Sequence, residues 1–295
     1  MTVFRQYCPR IDGMTARKAR RAQGFTLVEM VSVIVITGII AAVVAVFMRA
    51  PVQGYFDTVR RSEMTDTADT ALRRIGRDLR LALPNSVRVN GTGLALEFLL
   101  TRSGGRYRAG CIDSTTGDPL IFGNISGYPC EAADNNRFDV LGPAVAVAAG
   151  DSIAVYNLGI PGADAYAGDT LRAVNGTFGS VSNIAYTGAQ FPFSSPSNRF
   201  QVVQHPVSYV CDLALGTLRR YWGYPVAAVQ AVPPVGGSNA LLADNVTACA
   251  FTYDASVVAQ RAGLVTLNLT LTRRNEAGND EAVTLYQTVH VSNVP

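Results

Sequence analysis

Three hydrophobic patterns succeed one another along the chain. The first is a continuous apolar run. From Leu27 to Met48 the only ionisable residue is Glu29. About 20 such residues are needed to cross a bilayer as a helix, so a membrane-spanning helix is predicted over residues 25–54. Past Pro51 and Gly54 the pattern turns amphipathic. Tyr55, Val59, Met64, Ala68, Leu72, Ile75, Leu79 and Leu83 recur every three to five residues, with charges interleaved. Asp69–Arg73 and Arg74–Asp78 stand four apart and can pair on an exposed face. Pro84 and Asn85 supply the stop, which gives an amphipathic helix over 55–83.

From residue 84 to 295 the period drops to two. Ser86–Asn90 and Gly93–Leu100 flank Asn90-Gly91, a hairpin dipeptide. Further strands are predicted at Asp151–Leu158, Arg199–Gln204, Ser208–Leu213, Leu218–Gly223 and Asn245–Tyr253. Between Gly159 and Pro196 the chain is rich in Gly, Ala, Ser and Asn, and long surface loops with brief strands such as Thr170–Val174 are expected. The clearest alternation is near the end. Val265, Leu267, Leu269 and Leu271 form one apolar set, and Val283, Leu285, Val289 and Val291 the other. Polar Arg273–Glu281 separates them, so a terminal antiparallel hairpin with one buried face is predicted. The body is expected to be one expanded sheet domain or two lobes divided near residues 159–196. The fold class is α+β, a long N-terminal helix packed on antiparallel sheet.

Charge sharpens this picture. The formal net charge of the whole chain is +3, but Met1–Gly24 alone carries +5, leaving −2 for the remainder. A body so near neutrality gives no electrostatic case for nucleic acid, and the arginines between 73 and 80 read as a solvated or inter-subunit face. Arg17, Lys18, Arg20 and Arg21 abut the apolar run, so the positive-inside rule holds that end in the cytoplasm and sends the C-terminus across. Four cysteines on the far side, Cys111, Cys130, Cys211 and Cys249, then read as two disulfides. Three connectivities are possible; the nearest-neighbour one, Cys111–Cys130 and Cys211–Cys249, is the expectation.

The junction Gly24-Phe25-Thr26-Leu27-Val28-Glu29 adds chemistry. The run behind it is too long for an ordinary secretory signal, and Arg49-Ala50-Pro51 beyond it makes a poor cleavage site. A cut after Gly24 is favoured, because glycine lets a protease approach the backbone closely. A lone carboxylate in hydrocarbon costs about 3 kcal/mol or more, and Glu29 sheds that cost by protonation, by meeting a cation, or by snorkelling to the interface.

This junction, with its basic leader and apolar run, resembles the processing motif of type IV prepilins and type II secretion pseudopilins. The resemblance implies a leader over residues 1–24, cleavage by prepilin peptidase between Gly24 and Phe25, and N-methylation of Phe25. It also implies that Glu29 meets the Phe25 amine of a neighbouring subunit and so sets axial register. Gly38 matches a frequent family glycine, whereas Val46 stands where many members have proline. The stalk Leu72–Ser86 and the ending Leu285–Pro295 resemble the MshO group of minor pilin-like proteins of mannose-sensitive haemagglutinin pilus biogenesis. That resemblance implies a single-pass inner-membrane protein with a periplasmic β-rich domain over 84–295. Its implied partners are prepilin peptidase, other minor and major pilins and an inner-membrane assembly platform.

Two other classes of function remain to be weighed. A type II secretion pseudopilin would serve protein export, and a tip-exposed binding module would use the loops between Gly159 and Pro196. Catalysis finds little support. There are two histidines, His205 and His290, and no nucleophile-elbow, zinc-protease, phosphate-loop or dinucleotide motif. No cofactor, catalytic residue or metal site is expected. Asn275, Glu276, Asn279, Asp280 and Glu281 offer oxygen ligands near Gly278, but not at EF-hand spacing, and a solvated hairpin tip is the plainer reading.

Overall fold

The computed structural model describes residues 24–112, 117–123, 136–255, 262–275 and 278–295, with the Ala50 side chain apart. The chain divides into two compact units, residues up to Tyr55 and residues from Phe56 onward. A single helix, α1 (Leu27–Leu79), contributes to both and continues through Pro51.

In the second unit α1 is followed, among the described residues, by fourteen strands. They are β1 (Arg88–Val89), β2 (Ala95–Tyr107), β3 (Arg137–Leu141), β4 (Val145–Val147), β5 (Ser152–Ala154), β6 (Leu171–Asn175) and β7 (Gly179–Val181). Then come β8 (Asn183–Thr187), β9 (Arg199–Asp212), β10 (Thr217–Trp222), β11 (Ser238–Ala243), β12 (Val246–Asp254), β13 (Ala262–Arg274) and β14 (Asp280–Ser292). The ladders between these strands are antiparallel. This is the α+β, pilin-like plan: a long N-terminal helix whose second half packs on antiparallel sheet.

The amphipathic spacing decides which helix face is buried. Met64, Ala68, Ala71, Leu72, Ile75 and Leu79 share one hydrophobic core with Leu96, Phe98, Val207, Tyr209 and Leu218, and with Val265, Leu267, Leu269, Leu271, Val289 and Val291 of the terminal hairpin. Burying such side chains stabilises by about 1.5–3 kcal/mol each. Gly76 brings helix and hairpin close, since a Cβ there would lie 3.2 Å from Gln287 Nε2 and 3.4 Å from a Val289 methyl. The helix ends four residues before Leu83, earlier than its periodicity suggests. The reason is competition from β2: Leu83 N–H donates to the Leu99 carbonyl at 2.8 Å, and Thr101 N–H to the Leu81 carbonyl at 2.8 Å.

The stretch 159–196 carries three brief strands, β6, β7 and β8, among loops, with β6 one residue along from the expected Thr170–Val174. Strands β2, β3, β8, β6, β5 and β9 pair in that order, and β9 pairs back to β2, so the six close into a ring. Tyr107, Phe138, Ile153, Ile184, Tyr186, Phe200 and Val202 form a second core from these strands, with Phe138 and Phe200 packed edge to face at 5.0 Å. Gly176 and Gly188, both with positive φ, stand just after β6 and β8 where the chain turns. Two long strands join the cores. Ala95–Leu100 of β2 and Pro206–Val210 of β9 lie in the helix-bearing sheet, whereas their other halves belong to the ring; the ladder shifts register at Thr101, between the two.

Candidate functional site

In the first unit the described residues begin at Gly24. Phe25 and Leu27 are 76% and 80% exposed, and residues 24–49 present an exposed surface throughout. This is the one helix among the described residues long and apolar enough to cross a membrane. Helix formation starts at Thr26. Its carbonyl accepts from Met30 N–H at 3.2 Å, and its Oγ1 accepts from Glu29 N–H at 3.3 Å. Thr26 is therefore the N-cap and Glu29 the third helical residue, the Thr-x-x-Glu spacing of a capping box. The unbonded N–H groups of the first turn favour a negative charge at that point. Gly24, Phe25, Thr26 and Glu29 thus lie together at one helix terminus. Thr26 was not singled out by the sequence reading, although its three-residue spacing from Glu29 carries the signal.

At the other end α1 is fastened by charge. Asp78 sits in the last turn, where the helix dipole disfavours an acid, and is 5% exposed. Two donors and one further cation converge on it. Arg220 Nε donates to Oδ2 at 2.8 Å, Tyr209 O–H to the same oxygen at 2.7 Å, and Arg74 Nε stands 3.4 Å from Oδ1. Arg220 also lies 5.0 Å over the Trp222 ring. Burial, with the neighbouring Asp78 charge, pushes the Tyr209 hydroxyl pKa well up, so it stays a donor. Farther up the helix, Glu63 pairs with Arg273 at 3.0 Å and Arg61 with Glu281 at 3.7 Å, tying α1 to the terminal hairpin.

Cys211 of β9 and Cys249 of β12 are joined by a disulfide, with their Cα atoms 6.4 Å apart. It staples the nine-stranded sheet to the three-stranded one. The Cys111–Cys130 pairing involves Cys130, which lies outside the described residues.

His205 is half-buried and lines an open groove of about 460 Å³ with Arg102, Asp151 and Tyr224. Burial lowers its pKa, against a contact with the Pro206 carbonyl. Asp151 is engaged by Arg102 through both oxygens, at 2.7 and 3.2 Å, and by Ala148 N–H at 2.7 Å. Nearby, buried Glu97 accepts from Arg88 Nε at 2.7 Å and Tyr224 O–H at 3.0 Å. His290 stands on the exposed face of β14, far in sequence from any of these. Among the described residues no three His, Cys, Asp or Glu side chains could hold a metal ion. Glu276, one of the oxygen donors considered at the hairpin tip, lies outside the described residues.

Comparison with known proteins bears on the helix terminus. No curated protein and no solved structure matches the chain. Residues 19–45 match the family described as prokaryotic N-terminal methylation motif. That match takes in Arg20 and Arg21 of the basic cluster, the Gly24-Phe25 junction, Thr26, Glu29 and most of the exposed apolar run. Such a motif implies processing by prepilin peptidase and assembly with other pilins. The matched motif at the N-terminus supports a type IV prepilin-like protein, pilin or pseudopilin.

Proposed function

We propose that this chain is a minor type IV pilin of the mannose-sensitive haemagglutinin type, which joins other minor subunits to prime or cap a pilus used for attachment. Residues 1–24 form the leader, 25–54 the membrane anchor, 55–83 the amphipathic helix and 84–295 a periplasmic domain. Prepilin peptidase cuts between Gly24 and Phe25 and methylates the new amine. Glu29 then pairs with the Phe25 amine of an adjacent subunit as each subunit leaves the inner membrane. Energy favours that exchange. A carboxylate in hydrocarbon costs about 3 kcal/mol or more, and a cation at hydrogen-bond range offsets it. The supporting observation is the matched motif at the start of an apolar helix whose surface is exposed over residues 24–49.

Mass spectrometry of the protein from cells with and without prepilin peptidase tests this. A methylated Phe25 terminus is expected only in the first. A chain that retains residues 1–24 in both refutes it.

A second reading is a binding module at the filament end, or the corresponding pseudopilin in protein export. It is favoured by the ring core, which contains no residue of α1. Loss of attachment, as against loss of secretion, in a deletion strain separates the two.

A further inference from the structure

Along one side of β9, β5 pairs with residues 201–203 and β10 with residues 207–212. Between them, Gln204, His205 and Pro206 have no ladder partner on that side among the described residues. The sheet is split there, and the open groove of about 460 Å³ lies in the gap, a volume in the range of small-molecule sites. On the other side of β9, the ladder with β2 shifts register at the same height, and neither Arg102 nor Gln204 has a partner in it. Such irregularities re-aim side chains, and both of these line the groove.

Arg102 and Asp151, the charged residues of the wall, engage each other through Nε and Nη2 of the guanidinium. The groove therefore carries no net charge and does not favour an ion, while Arg102 Nη1 remains a donor. Acceptors accompany it. Gln204 gives its Nε2 to the Thr101 carbonyl at 3.1 Å, which leaves Oε1. His205 Nδ1 lies 3.2 Å from the Pro206 carbonyl, which leaves Nε2 as the acceptor of a neutral ring. Ser152 adds a hydroxyl, and Leu171, Pro225 and Val226 supply apolar wall. A peptide strand is disfavoured, because the free edge is three residues long and Pro206 has no N–H. A nucleobase is disfavoured too. Tyr224, the aromatic ring of the wall, is buried, and its hydroxyl is taken by Ser208 and Glu97.

We infer that this groove binds a neutral saccharide. Its hydroxyls meet Arg102 Nη1, Gln204 Oε1, His205 Nε2 and the Ser152 hydroxyl, and its C–H face lies against Leu171, Pro225 and Val226. The inference gives the binding-module reading a ligand class and rests on that reading, not on the processing of residues 1–24.

A printed array of neutral, carboxylated and sulfated oligosaccharides, probed with the full chain in detergent, tests it. Retention of neutral oligosaccharides is expected, and calorimetry with a retained one then gives a Kd. His205→Phe keeps a ring but removes the Nε2 acceptor, and should weaken binding about tenfold. Gln204→Ala does likewise and serves if His205→Phe melts early. Val226→Trp, which fills the groove, abolishes binding, whereas Leu215→Lys, on an exposed hairpin tip elsewhere, leaves it unchanged. Three results overturn the inference: no neutral oligosaccharide retained, carboxylated or sulfated ones preferred, or a Kd unmoved by Val226→Trp and by both polar variants. If the array stays empty while a deletion strain still loses attachment, the saccharide falls and the binding-module reading stands; a deletion strain that attaches normally removes that reading itself.

Discussion

Replacing Asp78 by alanine removes the acceptor on which helix and sheet converge. Asp78 and Arg220 are both over nine-tenths buried. Truncating one partner of such a pair leaves the other charge without compensation, at a cost of about 3–5 kcal/mol. Two features adjust that range. Arg220 keeps its place over the Trp222 ring, which retains about 1 kcal/mol. Tyr209 loses its acceptor at the same time, a further loss of about 1 kcal/mol. Arg74 is substantially exposed and adds little. The expected penalty is thus near 4 kcal/mol, or about 10 °C in Tm for a body of this size. Trp222 is the single tryptophan, so its fluorescence during urea unfolding reports on the site itself. The double variant Asp78→Leu with Arg220→Met is expected to recover most of the loss, because it removes both charges and not one. A penalty under about 1 kcal/mol for Asp78→Ala, or a double variant no better than the single, would refute the claim that this ion pair fastens the helix.

Three further outcomes follow from other parts of the molecule. Glu29→Ala should leave the melting temperature of the β-rich body unchanged while abolishing recovery of the chain with other pilin subunits; undiminished recovery contradicts the register role. Cys249→Ala opens a link across 38 residues and should cost about 3–4 kcal/mol by loop-entropy reasoning, measured as a fall in the urea midpoint. Burial works to raise the Asp139 pKa, but hydrogen bonds from Asn183, Arg108 and the Asp118 amide hold it below the ordinary carboxylate value. Stability from this group is therefore complete above about pH 4 and lost as pH falls through the lowered folded-state pKa. Urea midpoints between pH 6 and 2 should decline less steeply in Asp139→Asn.

What could be read from the chain depended on the length of each pattern. α1 and the β13–β14 hairpin were legible because their periods persist over many residues. Leu267 and Leu269 face inward as alternation requires. The ring was legible only in part: β5, β6 and β9 fall on predicted strands, but β3 and β8 run five residues each, too short for alternation to stand out from loop composition. Its closure also depends on partners distant in sequence, such as Ile153 opposite Val202. His205-Pro206 looked like a break between strands, yet β9 runs through it, with Pro206 opposite Leu99 beside the register shift. At the candidate site Glu29 was conspicuous as a lone acid in an apolar run, whereas Thr26 was hidden because a cap is visible only once the helix start is known. Asp78 looked like an i,i+4 surface partner of Arg74. Its burial comes from Tyr209 and Arg220, more than 130 residues away, and no local pattern encodes that.

The register shift at Thr101 has a mechanical consequence. β2 and β9 pass uninterrupted from the ring into the sheet that carries α1, so no flexible hinge intervenes along either strand. A pull applied at the ring travels lengthwise down this antiparallel pair. The backbone hydrogen bonds between them are then loaded together in shear, not opened one at a time. Force received at the far lobe is delivered to the sheet beneath Ile75 and Leu79, and through the Asp78 clamp to the helix.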